Sequence, residues 1–154
     1  FLKNKIKIRT IGDIKDLPKK CHDALNSITQ LTKNNSKLTL TLAISYSARD
    51  EIINALNEII LLKEKNKIDV ITENLISEHL QTRDLPDPDL VIRTSGEQRI
   101  SNFLLWQIAF SELYFSQKKW PDFDEKELYM AIFEYQNRER RFGKTTEQIN
   151  ETDS

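Results

Sequence analysis

Residues 38–64 read LTLTLAISYSARDEIINALNEIILLKE, and this stretch decides the fold class. From Leu38 to Leu42 leucine alternates with threonine, the period of a β-strand, and the apolar run continues to Ile44. Ser47 then offers a capping hydroxyl, and Ile52, Ile53, Leu56, Ile59 and Ile60 recur at helical spacing, so they are expected to face a core. A strand that runs into so long a helix returns by a crossover. Its neighbours should therefore be parallel.

The same alternation recurs to either side. Ile6, Ile8 and Ile11 mark a strand that Gly12-Asp13 closes. Pro18 opens a helix to about Leu31, with Ala24, Leu25, Ile28 and Leu31 on one stripe, and Lys33–Lys37 is a turn. Thr72 begins a short helix to about Leu80, Pro86 and Pro88 break the chain, and Asp89–Arg93 is a short buried strand. Ser101 is expected to cap an apolar helix from Asn102 to about Ser111, before a strand at Leu113-Tyr114-Phe115. Asp124 and Glu127 have capping-box spacing for a last helix that ends near Arg141, with Gly143 as its stop. The expectation is an α/β domain, a mainly parallel sheet flanked by helices, over residues 1–144, with a polar tail at 145–154.

Composition narrows the chemistry. With 23 Lys plus Arg against 24 Asp plus Glu, the net charge is −1, which excludes whole-molecule attraction to nucleic acid or an anionic membrane. One cysteine, Cys21, excludes an internal disulfide and a multi-cysteine zinc site. Three glycines form neither a Walker loop nor a GxGxxG fingerprint. No apolar stretch approaches the ~18 residues of a membrane span. The strand-like pattern begins almost at Phe1, without Met, so the chain is expected to be part of a larger domain.

Arginine is concentrated late, with six of eight from Arg83 onward, while eleven of fifteen lysines precede Ile68. Arg93 ends a strand, Arg99 follows a glycine-containing loop, and Ser101 adds a hydroxyl at an expected helix start. Parallel sheets bind ligands at the carboxyl ends of their strands, and planar guanidinium groups suit oxyanions. Two linked phosphates fit this arrangement. Surface bridges from Arg93 and Arg99 to Glu97 and Asp89 fit the spacing equally well.

Glu112, expected at the unfavourable carboxyl end of a helix, calls for a compensating cation, an arginine or a metal, or else is a solvated carboxylate. Asp122 and Asp124 read as turn and cap residues, and His22 and His79 as structural or surface groups. Ser95 lacks a neighbouring histidine and is a poor nucleophile candidate. Eleven of thirteen aromatics lie between Phe103 and Phe142 and are read mainly as core packing.

The run from Asp89 to Gln107, DLVIRTSGEQRISNFLLWQ, resembles the signature of the cis-prenyltransferases, the undecaprenyl diphosphate synthase family. The likeness continues through Ser111–Phe115, Trp120–Phe123 and Arg138–Gly143, and upstream through Ile8–Asp13 and Leu38–Arg49. The resemblance implies that family's fold and its reaction, repeated Mg²⁺-dependent condensation of isopentenyl diphosphate onto an allylic diphosphate such as farnesyl diphosphate. A product such as undecaprenyl diphosphate, a cell-wall lipid carrier, would follow. By position, Arg93, Arg99 and Ser101 resemble the residues that hold isopentenyl diphosphate, and Glu112 the magnesium ligand. Arg141 and Gly143 resemble a motif that approaches the other subunit's site in a homodimer.

The resemblance further implies a cytoplasmic enzyme, peripheral to the membrane through its lipid product. Gln98 stands where many bacterial members have histidine, and Ser45-Tyr46-Ser47-Ala48-Arg49 where the family usually has Asn-Tyr-Gly-Gly-Arg. The family's opening Asp-Gly-Asn-Gly-Arg-Trp segment, whose aspartate binds metal and the allylic diphosphate, has no match here. The chain is thus expected to be the carboxyl-terminal part of such an enzyme, without the catalytic aspartate and inactive alone. The alternative is a non-catalytic prenyltransferase-like subunit that supports a catalytic partner.

Overall fold

The computed structural model describes residues 3–15, 17–65 and 68–139. Two compact units emerge, Phe1–Pro86 with Asn102–Leu104, and Asp87–Ser101 with Leu105–Ser154.

The first unit contains β1 (Ile6–Ile11), α1 (Lys19–Thr32), β2 (Leu38–Ala43), α2 (Ala48–Glu64) and α3 (Glu73–His79). β1 and β2 pair in parallel, from Ile6 opposite Leu38 to Ile11 opposite Ala43, as the crossover demands. Ile8, Ile11, Ala55, Ile59 and Leu80 are buried here. Thr32 ties helix to strand: its hydroxyl donates to Ile28 O at 2.7 Å and accepts from Ile8 N at 3.0 Å. Ser47 caps α2 with its side chain, as read from the sequence, and Thr72, expected as the start of a helix, caps α3 in the same way.

The inward stripe of α2 differs from the expected one. Ala48, Glu51, Ala55 and Ile59 are buried, whereas Ile53 and Ile60 are 55% and 48% exposed. Glu51 can turn inward because its carboxylate is satisfied there, by the Tyr46 hydroxyl at 2.5 Å and the Gln81 N–H at 2.7 Å. Leu31, expected on the buried stripe of α1, is likewise exposed.

The second unit contains β3 (Leu90–Arg93), β4 (Glu112–Phe115), a 3₁₀ turn at Trp120–Asp122 and α4 (Glu125–Gln136). β3 and β4 are also parallel, with Leu90 opposite Glu112 and Arg93 opposite Phe115. Asp124 caps α4 by accepting from Lys126 N and Glu127 N at 3.0 and 3.1 Å. α4 ends at Gln136 rather than near Arg141. There the Asn137 side chain donates to Phe133 O at 2.7 Å, and Arg138 turns to β4. Gly143 lies outside the described residues.

The helix expected from Asn102 to Ser111 is absent. Residues 101–110 run as bends and turns, and Ser101, Asn102 and Leu104 have φ of 52°, 61° and 49°. A right-handed helix cannot pass through such residues. Among the described residues, no helix is long and apolar enough to cross a membrane.

Candidate functional site

β3 is short, and its last residue is Arg93. The chain then reverses through Ser95 and Gly96, both left-handed with φ of 72° and 69°. Glycine suits position 96 because its φ of 69° strains other side chains, whereas the Gln117 side chain, 2.7 Å from where a Cβ would sit, could swing away. Ser95 N donates to Lys118 O at 2.7 Å and Gly96 N to Ser116 O at 2.8 Å, which staples the loop onto the segment after β4. Those two N–H groups are therefore not available to an anion. Since no helix opens at Ser101, no helix-start dipole serves one there either.

The side chains remain. Arg93 Nη1 donates to Ser101 Oγ at 3.0 Å, so these two candidates meet directly. Arg99 pairs with Glu97, with side chains 64% and 40% exposed. Arg99 thus forms the surface bridge that its spacing allowed, whereas Arg93 is turned to the serine. The segment from Arg93 to Ser101 carries two guanidinium groups and one carboxylate, an excess of positive charge suited to an anion.

Glu112 is the first residue of β4, not the end of a helix, and its N–H donates to Asp89 O at 2.9 Å. Its compensating cation is Arg138, whose Nη1 donates to the carboxylate at 2.9 Å and to Leu113 O at 2.8 Å. Arg138 also lies 3.9 Å from Glu134. Nearby, the Tyr114 hydroxyl is pushed above its usual value, first by desolvation and then by the Glu134 and Glu127 carboxylates. No group of three metal-ligating side chains occurs among the described residues. One carboxylate beside substrate phosphates can hold Mg²⁺; here Glu112 is bound by Arg138 and stands opposite Leu90, at the other end of the β3–β4 pair from Arg93.

Arg141, expected to join the site, lies outside the described residues with Gly143. His22 contacts Asn26 and Asp23, and the His79 ring reaches Leu75 O at 2.8 Å, both as ordinary helix-surface groups. Asp124 serves as a cap. The core reading of the aromatics fails at several positions: Trp120, Phe110 and Phe133 are 75%, 67% and 62% exposed.

Sequence reasoning passed over the carboxyl ends of β1 and β2. A cavity of about 560 Å³ opens there, lined by Asp13, Lys15, Asp50, Glu51 and Gln81 among others. Gly12 N donates to Gln81 Oε1 at 2.6 Å at its edge. The available signal was Tyr46 five residues before Glu51, a phenol that can satisfy an inward carboxylate.

A family model described as undecaprenyl diphosphate synthase matches residues 1–143. An isoprenyl transferase of Clostridium tetani is 51% identical over 142 residues, 91% of this chain and 56% of the relative. One of Fusobacterium nucleatum is 52% identical over 143 residues, 93% of this chain and 60% of the relative. The chain therefore spans less than two thirds of the length of these relatives. The crystal structure of lavandulyl diphosphate synthase from Lavandula x intermedia, in complex with dimethylallyl diphosphate, superposes with a TM-score of 0.87 at 38% identity, covering 90% of this chain and 61% of that one.

Proposed function

The chain belongs to the cis-prenyltransferase family typified by undecaprenyl diphosphate synthase, and from that premise we propose that it carries the isopentenyl diphosphate site of a polyprenyl diphosphate synthase. The observation that carries this reading is the Arg93–Ser101 contact at the carboxyl end of β3, with Arg99 on the same loop. Arg93 and Ser101 bind one diphosphate, and Arg99 leaves Glu97 for a stronger charge.

The reaction ionises an allylic diphosphate, the isopentenyl double bond attacks the allylic carbon, and a proton is then lost. Residues that hold the acceptor contribute by orienting its double bond and by restraining its charged end. Mg²⁺, when bound, neutralises diphosphate charge, and Glu112 is the residue that would hold it. Arg141 and Gly143 act across a homodimer in this reading. Farnesyl diphosphate as primer, undecaprenyl diphosphate as product, and a cytoplasmic enzyme touching the membrane through its product complete the proposal.

The test is steady-state elongation by the full-length enzyme. Arg93→Ala and Arg99→Ala should each weaken isopentenyl diphosphate binding on the order of ten- to a hundredfold, the worth of a charge-assisted hydrogen bond. Unchanged affinity in both variants would return the arginines to a surface role. Mixing Arg141→Ala protein with Arg93→Ala protein should restore some activity through heterodimers; demonstrated heterodimers without recovery count against a shared site.

A further inference from the structure

The segment just past β4 holds the loop that carries Arg93 and Arg99. Ser116 N donates to Arg93 O at 2.8 Å, Gly96 N to Ser116 O at 2.8 Å, and Ser95 N to Lys118 O at 2.7 Å. All of these residues belong to the second compact unit, as do Arg99 and Ser101. The course of the loop is therefore set by the turn that Ser116, Gln117 and Lys118 make.

Ser116 sets that turn. It is 3% exposed, although serine is mostly a surface residue, and its hydroxyl is satisfied on both sides. The oxygen accepts from Lys118 N at 3.1 Å, and the proton goes to Glu127 Oε2 at 3.2 Å. The first bond closes a side-chain turn onto the backbone two residues ahead and so directs the chain that presents Lys118 O. The second ties the turn to α4, where Glu127 N is itself held by Asp124 Oδ1 at 3.1 Å. One buried serine thus uses its amide and carbonyl on the loop and its hydroxyl on the turn beneath.

With its carbonyl fixed by Ser116 N, Arg93 leaves a defined strand end to reach Ser101 Oγ at 3.0 Å. Arg99 follows Gly96 by three residues on the same loop. We propose that Ser116 is a positioning residue: its hydroxyl fixes the turn after β4, and the turn fixes the loop that presents both arginines to the acceptor diphosphate. The proposal rests on the diphosphate reading of Arg93, Arg99 and Ser101.

The experiment is steady-state kinetics of the full-length enzyme, with isopentenyl and allylic diphosphates varied in turn and thermal unfolding followed on the same samples. Ser116→Ala removes the hydroxyl and keeps the backbone groups that meet Arg93 and Gly96. It should raise the KM for isopentenyl diphosphate about tenfold, the loss of one to two hydrogen bonds, and leave the allylic KM at the parent value. Ser116→Thr keeps a hydroxyl and should recover most of the loss. Glu127→Ala leaves the bond to Lys118 N but removes the acceptor, so it should raise the same KM by a smaller factor. In a Ser116→Ala background Glu127→Ala should add nothing, because the two act through one bond.

A parent KM for isopentenyl diphosphate in Ser116→Ala overturns the proposal. A parallel rise of both KM values does so too, since it marks a role in folding alone. Additive effects of Ser116→Ala and Glu127→Ala, or a folded Ser116→Thr protein without recovery, overturn it as well. If Ser116→Ala does not fold, Glu127→Ala decides by the same comparison: a rise confined to isopentenyl diphosphate supports positioning, and a parent value ends it. Arg93→Ala separates the two layers. If it raises the KM and Ser116→Ala does not, positioning alone falls; if neither does, the diphosphate reading falls and the proposal with it.

Discussion

The loops that follow β1 and β3 leave their strands in the same way and then diverge. After β1, Gly12 hands its N–H to Gln81, and Gln81 hands its own N–H to buried Glu51. Every strong polar group named there points to another protein group. After β3 the N–H groups of Ser95 and Gly96 are also occupied, but among the described residues Arg93 and Arg99 hold Ser101 and Glu97, both on the same loop. Those partners can be exchanged for a ligand without dismantling a core. The contrast separates a rigid edge that organises the chain from a charged edge that can bind.

The most damaging test of the contrast lies in the first unit. Gly12 has φ of 95°, and a Cβ there would sit 2.1 Å from Ile44 O. Gly12→Ala should destabilise the full-length protein by about 3 kcal/mol or more, from overpacking and left-handed strain together. Urea unfolding measures it, and parental stability would show that this edge is not rigid. Next, Ile59→Ala empties a fully buried position and should cost about 2–5 kcal/mol while leaving diphosphate affinity in the folded fraction intact.

At the other end of the β3–β4 pair, where Glu112 stands opposite Leu90, the order reverses. Glu112→Gln removes the charge opposite Arg138 with little change in volume. A partly exposed pair should contribute about 1 kcal/mol or less to stability, so the variant should fold. Its turnover should fall sharply and recover in part with added Mg²⁺. Turnover and Mg²⁺ dependence equal to the parent would reduce Glu112 to a bridge partner.

The smallest effect is alkaline. Tyr114 has a raised folded-state value, so above about pH 10 the unfolded chain loses this proton first and stability falls as pH rises. Tyr114→Phe should flatten that decline in urea midpoints measured across pH 9–11. An identical slope in parent and variant would sink the assignment.

Much of this was legible in the sequence, for local reasons. Ser47, Thr72 and Asp124 each announce a helix by a side chain that caps it, and all three do so. The leucine–threonine alternation of β2 and its parallel pairing with β1 follow from period and crossover length. Asn102 to Ser111 misled because apolar spacing carries no information about φ. There, bonds from Asn102 to Ser47, Ala48 and Arg49 hold a residue in a conformation that no helix admits. The face of α2 was misjudged for a related reason. Isoleucines outnumber other candidates, yet a glutamate is buried because Tyr46 and Gln81 supply its partners from distant positions. Arg93 and Ser101 meet after β3, as their spacing suggests, whereas Arg138 as partner of Glu112 required the fold.

The closed start of α2 has a consequence in time as well as in energy. Helix beginnings usually open first, and their leading amides exchange deuterium with solvent almost as fast as a free chain. With Asn102 and Ser47 holding the amides of Ala48, Arg49 and Asp50, these three should instead exchange as slowly as the middle of the helix. The slow patch would begin abruptly at residue 48, with no graded approach from the loop before it.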